Sequence, residues 1–148
     1  MTKKAISCET SKGMIFKRKE VKAHGTSKLI EGVFKQNDKC LVIEDVVTSG
    51  SSIIETVKEL RENGGLVVND AIVLLNREQG GAENIANINV KLHSILKTSD
   101  VLNILLKNKC IDQVIYDKTS EFLDKNRHVP VPQNLSAKAV EVKSIHFI

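Results

Sequence analysis

Apolar runs alternate along the chain with segments of helical periodicity, and this order predicts an α/β protein. Leu41–Val47 and Leu66–Leu75 are β-branched and aliphatic, which is typical of strands buried in a parallel sheet. Between them lies a predicted helix that starts with capping-box spacing at Ser52 and Glu55 and ends at Gly64-Gly65. Its inner face repeats at helical spacing and comprises Ile53, Ile54, Val57 and Leu60. The predicted fold is a mostly parallel sheet flanked by helices.

The remaining pattern adds shorter elements. We expect strands at residues 14–16 and 90–96, and a turn at Asn37-Asp38. A helix capped by Ser99 or Asp100 and an amphipathic helix over residues 111–126 should follow. From His128 onward, Pro130 and Pro132 break structure, so residues 129–148 are predicted to be a tail or linker without a partner element.

The first predicted buried strand ends in residues that could bind a ligand. Glu44 and Asp45 precede a short loop of hydroxyls and glycine, and a helix begins directly after it. Backbone amides at a helix N-terminus attract phosphate, whereas two carboxylates would repel it. The combination fits a sugar phosphate whose ribose hydroxyls reach the carboxylates, with Mg²⁺ held mainly through substrate oxygens. The bland alternative is an acidic strand end in an unrelated α/β domain.

A basic segment, residues 17–28, precedes this strand. Such a run is most often a solvated surface, and a nucleic-acid patch is a further interpretation. Aromatic residues make up 3% of the chain, with no Trp, so a base-stacking platform is not expected. The net charge of +4 suits an anionic small molecule equally well. Beside a phosphate site, these cations would stabilise a departing pyrophosphate.

Two motifs resemble a known family. LVIEDVVTSGSS, residues 41–52, resembles the phosphoribosyl pyrophosphate (PRPP) motif of type I phosphoribosyltransferases. RKEVKAHGTSKLIEG, residues 18–32, resembles the mobile catalytic loop of orotate phosphoribosyltransferases, in particular the version in the transferase domain of animal UMP synthases. The resemblance implies transfer of the phosphoribosyl group from PRPP to orotate, giving orotidine 5′-monophosphate and pyrophosphate in UMP biosynthesis. It also implies a homodimer in which residues 17–28 complete the neighbour's site.

The resemblance implies residue roles as well. Lys19, Lys22, His24 and Asp45 would be catalytic, with Mg²⁺ near Glu44 and Asp45. AIVLLNREQGG, residues 71–81, is similar to the family's base-binding element, so Arg77 and Thr48 would bind orotate. The family usually has Asp where this chain has Asn76, which removes a negative charge beside Arg77. The implied PRPP ligands are Arg18, Lys19, Lys22, His24, Glu44, Asp45, Val46, Val47, Thr48, Ser49, Gly50, Ser51 and Ser52.

The similarity covers residues 5–127, so residues 1–128 are predicted to be a partial phosphoribosyltransferase domain. The family's N-terminal hood and its Gly-Lys pyrophosphate loop have no counterpart before Met14. We therefore expect the 148-residue chain alone to be slower than a complete enzyme. A sheet edge left exposed by the missing strand would favour self-association. A PRPP-binding sensor or subunit without catalysis is the alternative function.

Composition sets the compartment. A hydrophobic content of 41% and a charged content of 27% are typical of a globular domain. Three cysteines without metal-ligand spacing, no apolar run of spanning length and no signal peptide predict a cytoplasmic protein with reduced thiols and no membrane partner.

Overall fold

The computed structural model describes residues 9, 12–17, 30–131 and 145–147, with backbone only for residues 17 and 145–147. The described strands and helices follow one another along the chain. The strands are β1 (Met14–Lys17), β2 (Ile30–Glu31), β3 (Lys39–Val47), β4 (Val67–Asn76), β5 (Lys91–Lys97) and β6 (Ile145–Phe147). The helices are α1 (Ser51–Glu62), α2 (Gly81–Ala86), α3 (Thr98–Lys107) and α4 (Gln113–Lys125). None of the described helices is long and apolar enough to cross a membrane.

The six strands form one sheet in the order β2-β1-β6-β3-β4-β5. β3, β4 and β5 are mutually parallel neighbours, as the continuous apolar runs predict. β6 is antiparallel to both β1 and β3, so β1 runs in the same direction as β3. β2 is antiparallel to β1. The sheet thus has a parallel half (β3, β4 and β5) and an antiparallel half (β1, β2 and β6), and the predicted fold class is confirmed.

The core lies between the parallel half and the described helices. Alternate strand residues such as Val42, Ala71 and Val73 are fully buried against the inner stripe of α1, Ile53 and Val57. Ile15 and Ile30 of the antiparallel half belong to the same cluster. The opposite face carries the exposed side chains of Leu74 and Ile95. The described helices therefore cover one face of the sheet.

Two predicted helix caps are wrong. α1 begins at Ser51 with Gly50 as its N-cap, in a left-handed conformation and without a side-chain cap, so Ser52 and Glu55 form no capping box there. α3 begins at Thr98, with Lys97 rather than Ser99 or Asp100 at its N-cap. At α1, Ile85 and Gly81 lie close against Gly50, and at α3 the helix follows β5 directly at Thr98, before Ser99 is reached. By contrast, Asp112 caps α4 by accepting from the Ile115 amide at 2.7 Å.

The expectation that the last residues lack a partner element is also wrong for residues 145–147. These residues form β6, which pairs with β1 on one side and β3 on the other. β1 and β3 are therefore both paired with β6, and the exposed edge and self-association expected from a missing strand stay predictions. A three-residue strand has no periodicity of its own, and only its distant partners define it. The domain boundary after residue 128 stays a prediction.

Candidate functional site

The carboxyl ends of four strands lie at one edge of the sheet. β1, β3, β4 and β5 run in the same direction, so Lys17, Val47, Asn76 and Lys97 end their strands on that side. In open α/β sheets, ligands bind in the crevice beyond this edge. The acidic pair, the loop after β3, Arg77 and the start of the basic segment therefore share the edge where a ligand is expected.

Loop 47–52 joins β3 to α1 through a left-handed glycine. Gly50 has a φ of 80°, and its carbonyl accepts the first helical hydrogen bond from Ile54 at 2.9 Å. The Ser49 and Ser51 hydroxyls lie 3.1 Å apart and form a hydrogen bond across the glycine. Because no side chain caps the N-terminus of α1, the amides of its first turn are available to an anion. Thr48 is half-buried and Ser49 is buried beside them.

The N-terminal part of α2 fixes the position of this loop. The Asn84 side chain donates to the Ser49 carbonyl at 2.9 Å. A Cβ atom at Gly81 would lie 2.5 Å from the Thr48 carbonyl oxygen, so the helix can approach this closely only with glycine. A Cβ at Gly50 would meet the Ile85 side chain at 2.9 Å. Sequence reasoning missed these supporting residues, although Gly80-Gly81 directly after a strand end was a usable signal.

The two carboxylates of the acidic pair lie on opposite faces of β3. Glu44 pairs in register with Val73 on the helix-covered face, and 6% of its surface is exposed. Asp45 is exposed on the other face, and its own Oδ1 accepts from the Val46 amide at 2.8 Å. Neighbouring residues in a strand alternate in this way. The pair is therefore one buried and one accessible carboxylate, and the assignment of both to PRPP stays a prediction.

Arg77 is exposed immediately beside loop 47–52. Its amide donates to the Val47 carbonyl at 3.0 Å, which ties the turn after β4 to the end of β3. Asn76 is 7% exposed, and its side-chain oxygen accepts from the Glu78 amide at 2.8 Å. Glu78 in turn accepts from the Ser99 amide at 2.9 Å, at the start of α3. A carboxylate oxygen at position 76 could accept the same bond, so the Asn here is compatible with the turn.

Arg18, Lys19, Lys22 and His24 lie outside the described residues, and their assignment stays a prediction. Among the residues that the structure does describe, no group of three or more His, Cys, Asp or Glu side chains is arranged to hold a metal ion. The expectation of Mg²⁺ near Glu44 and Asp45 stays a prediction. His93 Nε2 lies 2.8 Å from the Asp70 carboxylate oxygen Oδ1.

The cysteine at the start of β3 is buried. Burial raises the pKa of the Cys40 thiol from 9.0 to about 12, because the thiolate would lose its hydration. The thiol therefore stays protonated at neutral pH and is a poor nucleophile. Cys110 is exposed, and both are unpaired thiols.

Comparison with known proteins identifies relatives of this chain by sequence. No family model matches the chain. The chain is 42% identical over 145 residues to the uridine 5′-monophosphate synthase of Bos taurus, a match that covers 96% of this chain and 30% of that protein. It is 34% identical over 123 residues to the orotate phosphoribosyltransferase of Staphylothermus marinus, covering 83% of this chain and 60% of that protein. The chain thus spans between about a third and three fifths of these curated relatives.

A solved structure of a related protein has a similar fold. The UMP synthase of Leishmania donovani superposes with a TM-score of 0.73 and 26% identity, over 82% of this chain and 26% of that one. The parallel sheet, the loop after β3 and these matches define a type I phosphoribosyltransferase fold. Within that class, the chain is an orotate phosphoribosyltransferase-like domain, corresponding to part of the domain in its relatives.

Proposed function

We propose that this chain binds PRPP at loop 47–52 and transfers its phosphoribosyl group to orotate, giving orotidine 5′-monophosphate and pyrophosphate. One observation carries the proposal. The amides of α1, the accessible carboxylate of Asp45 and the guanidinium of Arg77 belong to adjacent strand ends, in a chain related to proteins named for this reaction.

The 5-phosphate of PRPP is placed on the amides of loop 47–52. The dipole of the twelve-residue helix α1 favours negative charge at this end. Ser49 and Ser51 add hydroxyl donors at the same turn. Because Asn84 and Gly81 hold the loop from behind, the amides need no rearrangement when the phosphate arrives.

The ribose then lies towards Asp45. Its carboxylate accepts hydrogen bonds from the ribose hydroxyls and tolerates the positive charge that develops at the anomeric carbon as pyrophosphate departs. Glu44, buried beneath the same strand end, adds negative charge from the helix side. Mg²⁺ held mainly by substrate oxygens, with Asp45 nearby, would neutralise the leaving pyrophosphate. This donor set fits Mg²⁺, which keeps several waters and takes few protein ligands.

Orotate is placed against Arg77. An exposed guanidinium can hold the orotate carboxylate in a bidentate fork, and Thr48 adds a hydroxyl from the neighbouring loop. The hydrogen bond from the Arg77 amide to the Val47 carbonyl fixes the distance between the proposed base site and the proposed phosphate site. The nucleophilic ring nitrogen of orotate and the anomeric carbon of PRPP would thereby be brought together.

The basic segment supplies the remaining charge. Lys19, Lys22 and His24 are proposed to contact the pyrophosphate, and β1 starts this segment at the same edge as loop 47–52. We propose further that the protein works in the cytoplasm as a homodimer in which the segment closes the neighbour's site. Mixing inactive Lys22→Ala and Gly50→Val chains should then restore part of the activity, because one hybrid site is intact. No recovery on mixing would show that each chain uses its own segment.

The test of the reaction is orotate consumption by the chain with PRPP and Mg²⁺, followed by ultraviolet absorbance. We expect turnover that requires both substrates and is lost in Gly50→Val. Lys22→Ala and His24→Ala should lower kcat more than they weaken PRPP binding, because their charges matter most as pyrophosphate leaves. PRPP binding without any conversion of orotate would refute the transferase and leave a binding protein.

A further inference from the structure

β6 occupies an unusual place in the sheet. It lies between β1 and β3, antiparallel to both, and His146 is opposite Ile15 on one side and Val42 on the other. Among the described strands, β6 alone joins the antiparallel half to the parallel half by backbone pairing. Adjacent strands are about 4.8 Å apart, so β1 and β3 lie about 10 Å from each other. That distance is too great for direct hydrogen bonds between them.

The partners of β6 are deep in the molecule. Ile15 and Val42 are both fully buried, with 0% of their surface exposed. Withdrawing β6 would leave two strand edges with unpaired amide and carbonyl groups in the interior. Yet the two halves also share a core, because Ile15 and Ile30 pack with the cluster beneath β3 and β4. A gap shaped for one extended segment could therefore persist without β6.

The number of residues before β6 is large enough for residues 145–147 to leave the gap and return. Residues 132–144 connect β6 to the rest of the chain, and thirteen residues can span up to about 43 Å. With three residues, β6 is also shorter than the usual strand of about five to six. Backbone pairing with two neighbours is the way in which extended peptides add to sheets. The pairing needs no particular side chain at residues 145–147.

We propose that the gap between β1 and β3 is a strand-acceptor site, filled in cis by residues 145–147. Its filling fixes β1 relative to β3, and therefore the basic segment after Lys17 relative to Asp45. The strand thereby positions the basic segment and regulates the site. This regulatory role rests on the proposed function. An empty gap leaves loop 47–52 intact, because that loop is held by α1 and α2.

The test uses a variant that ends at Val131 and a fluorescent peptide of residues 139–148. We expect saturable binding of one peptide per chain in fluorescence anisotropy. A matched peptide carrying His146→Pro should bind at least about tenfold more weakly, because proline cannot donate to a ladder. A truncated chain that unfolds cooperatively but binds both peptides equally, or neither, would overturn the proposal.

A second arm keeps the full chain, in case the truncated one does not fold. His146→Pro should lower hydrogen-exchange protection at those amides of residues 14–16 and 41–43 that face β6, whereas Val142→Pro, outside β6, should not. Unchanged protection in His146→Pro would contradict the proposal equally.

The regulatory role of β6 is tested separately, by enzyme turnover. Emptying the gap should lower orotate turnover at least about tenfold while ribose 5-phosphate affinity changes by less than about threefold, and the peptide should restore turnover. Turnover that is unaffected by truncation would remove the regulatory role. Peptide binding without any turnover in the full chain would instead refute the proposed transferase and leave the strand-acceptor site standing.

Discussion

The two halves of the sheet are built in different ways. The parallel half pairs nine-residue β3 with ten-residue β4 and then β5, and the connections α1 and α2 lie against these strands. The antiparallel half consists of strands of two to four residues, and β6, its strand next to β3, comes from a distant part of the chain. The parallel half therefore carries the candidate phosphate site on local supports, whereas β1, which precedes the basic segment, is joined to β3 through the long-range pairing of β6.

Among the residues that support loop 47–52, the strongest effect is expected at Gly81. In Gly81→Val, the Cβ atom alone would lie 2.5 Å from the Thr48 carbonyl oxygen, so the branched side chain would collide with it. Overpacking of about 3 kcal/mol corresponds to roughly a hundredfold loss of PRPP affinity. Isothermal titration calorimetry measures this loss.

Gly13 provides the matched control, because nothing lies within 4 Å of a Cβ built there. Gly13→Ala should leave PRPP affinity unchanged. Equal affinity in Gly81→Val and Gly13→Ala would break the contrast, since the loop would then not depend on α2.

The acidic pair should divide into two roles. Asp45→Asn should weaken PRPP binding about tenfold when Mg²⁺ is present and leave thermal stability unchanged, because the carboxylate is exposed and is proposed to accept from the ribose hydroxyls. Glu44→Gln should mainly lower the melting temperature, since the carboxylate is buried. Calorimetry with and without Mg²⁺, together with thermal unfolding, separates the two. A larger loss of PRPP affinity in Glu44→Gln than in Asp45→Asn would reverse the assignment.

A smaller effect is expected at Asn84. Asn84→Ala removes the hydrogen bond to the Ser49 carbonyl, which is worth about 1 kcal/mol, so PRPP affinity should fall about fivefold. Asn87→Ala, at an exposed position just after α2, is the control. If both variants bind PRPP as the parent does, the loop is held by packing alone.

A last effect, on stability rather than on PRPP binding, concerns Cys40 in β3. Its pKa of about 12 in the folded chain lies above the ordinary 9.0, so the folded state keeps a proton that the unfolded state loses. Stability should therefore fall as the pH rises above about 9, by at most about 1.4 kcal/mol per pH unit. Urea unfolding at pH 8 and pH 10 measures the change, and Cys40→Ala should reduce it. At pH 8, iodoacetamide should label exposed Cys110 well before Cys40, and the reverse order would contradict the burial of Cys40.

Sequence patterns predicted the parallel half well and the antiparallel half poorly, for physical reasons. The strand from Leu41 and the helix after it are set by local apolar periodicity, which is visible along the chain. The left-handed N-cap at Gly50 is different, because the close approach of Ile85 and Gly81 dictates it. β6 depends on residues more than a hundred positions away. The opposite faces of Glu44 and Asp45 followed from strand alternation and were open to prediction.

The most direct test of the central claim is a calorimetric titration of PRPP with Mg²⁺ into the parent chain and into Gly50→Val. The valine would be strained at a φ of 80° and would collide with Ile85 at the turn where the phosphate is placed. We predict saturable binding of one PRPP per chain to the parent and none that is measurable to the variant. Equal binding by both chains, or none by the parent, would contradict a phosphate site at loop 47–52.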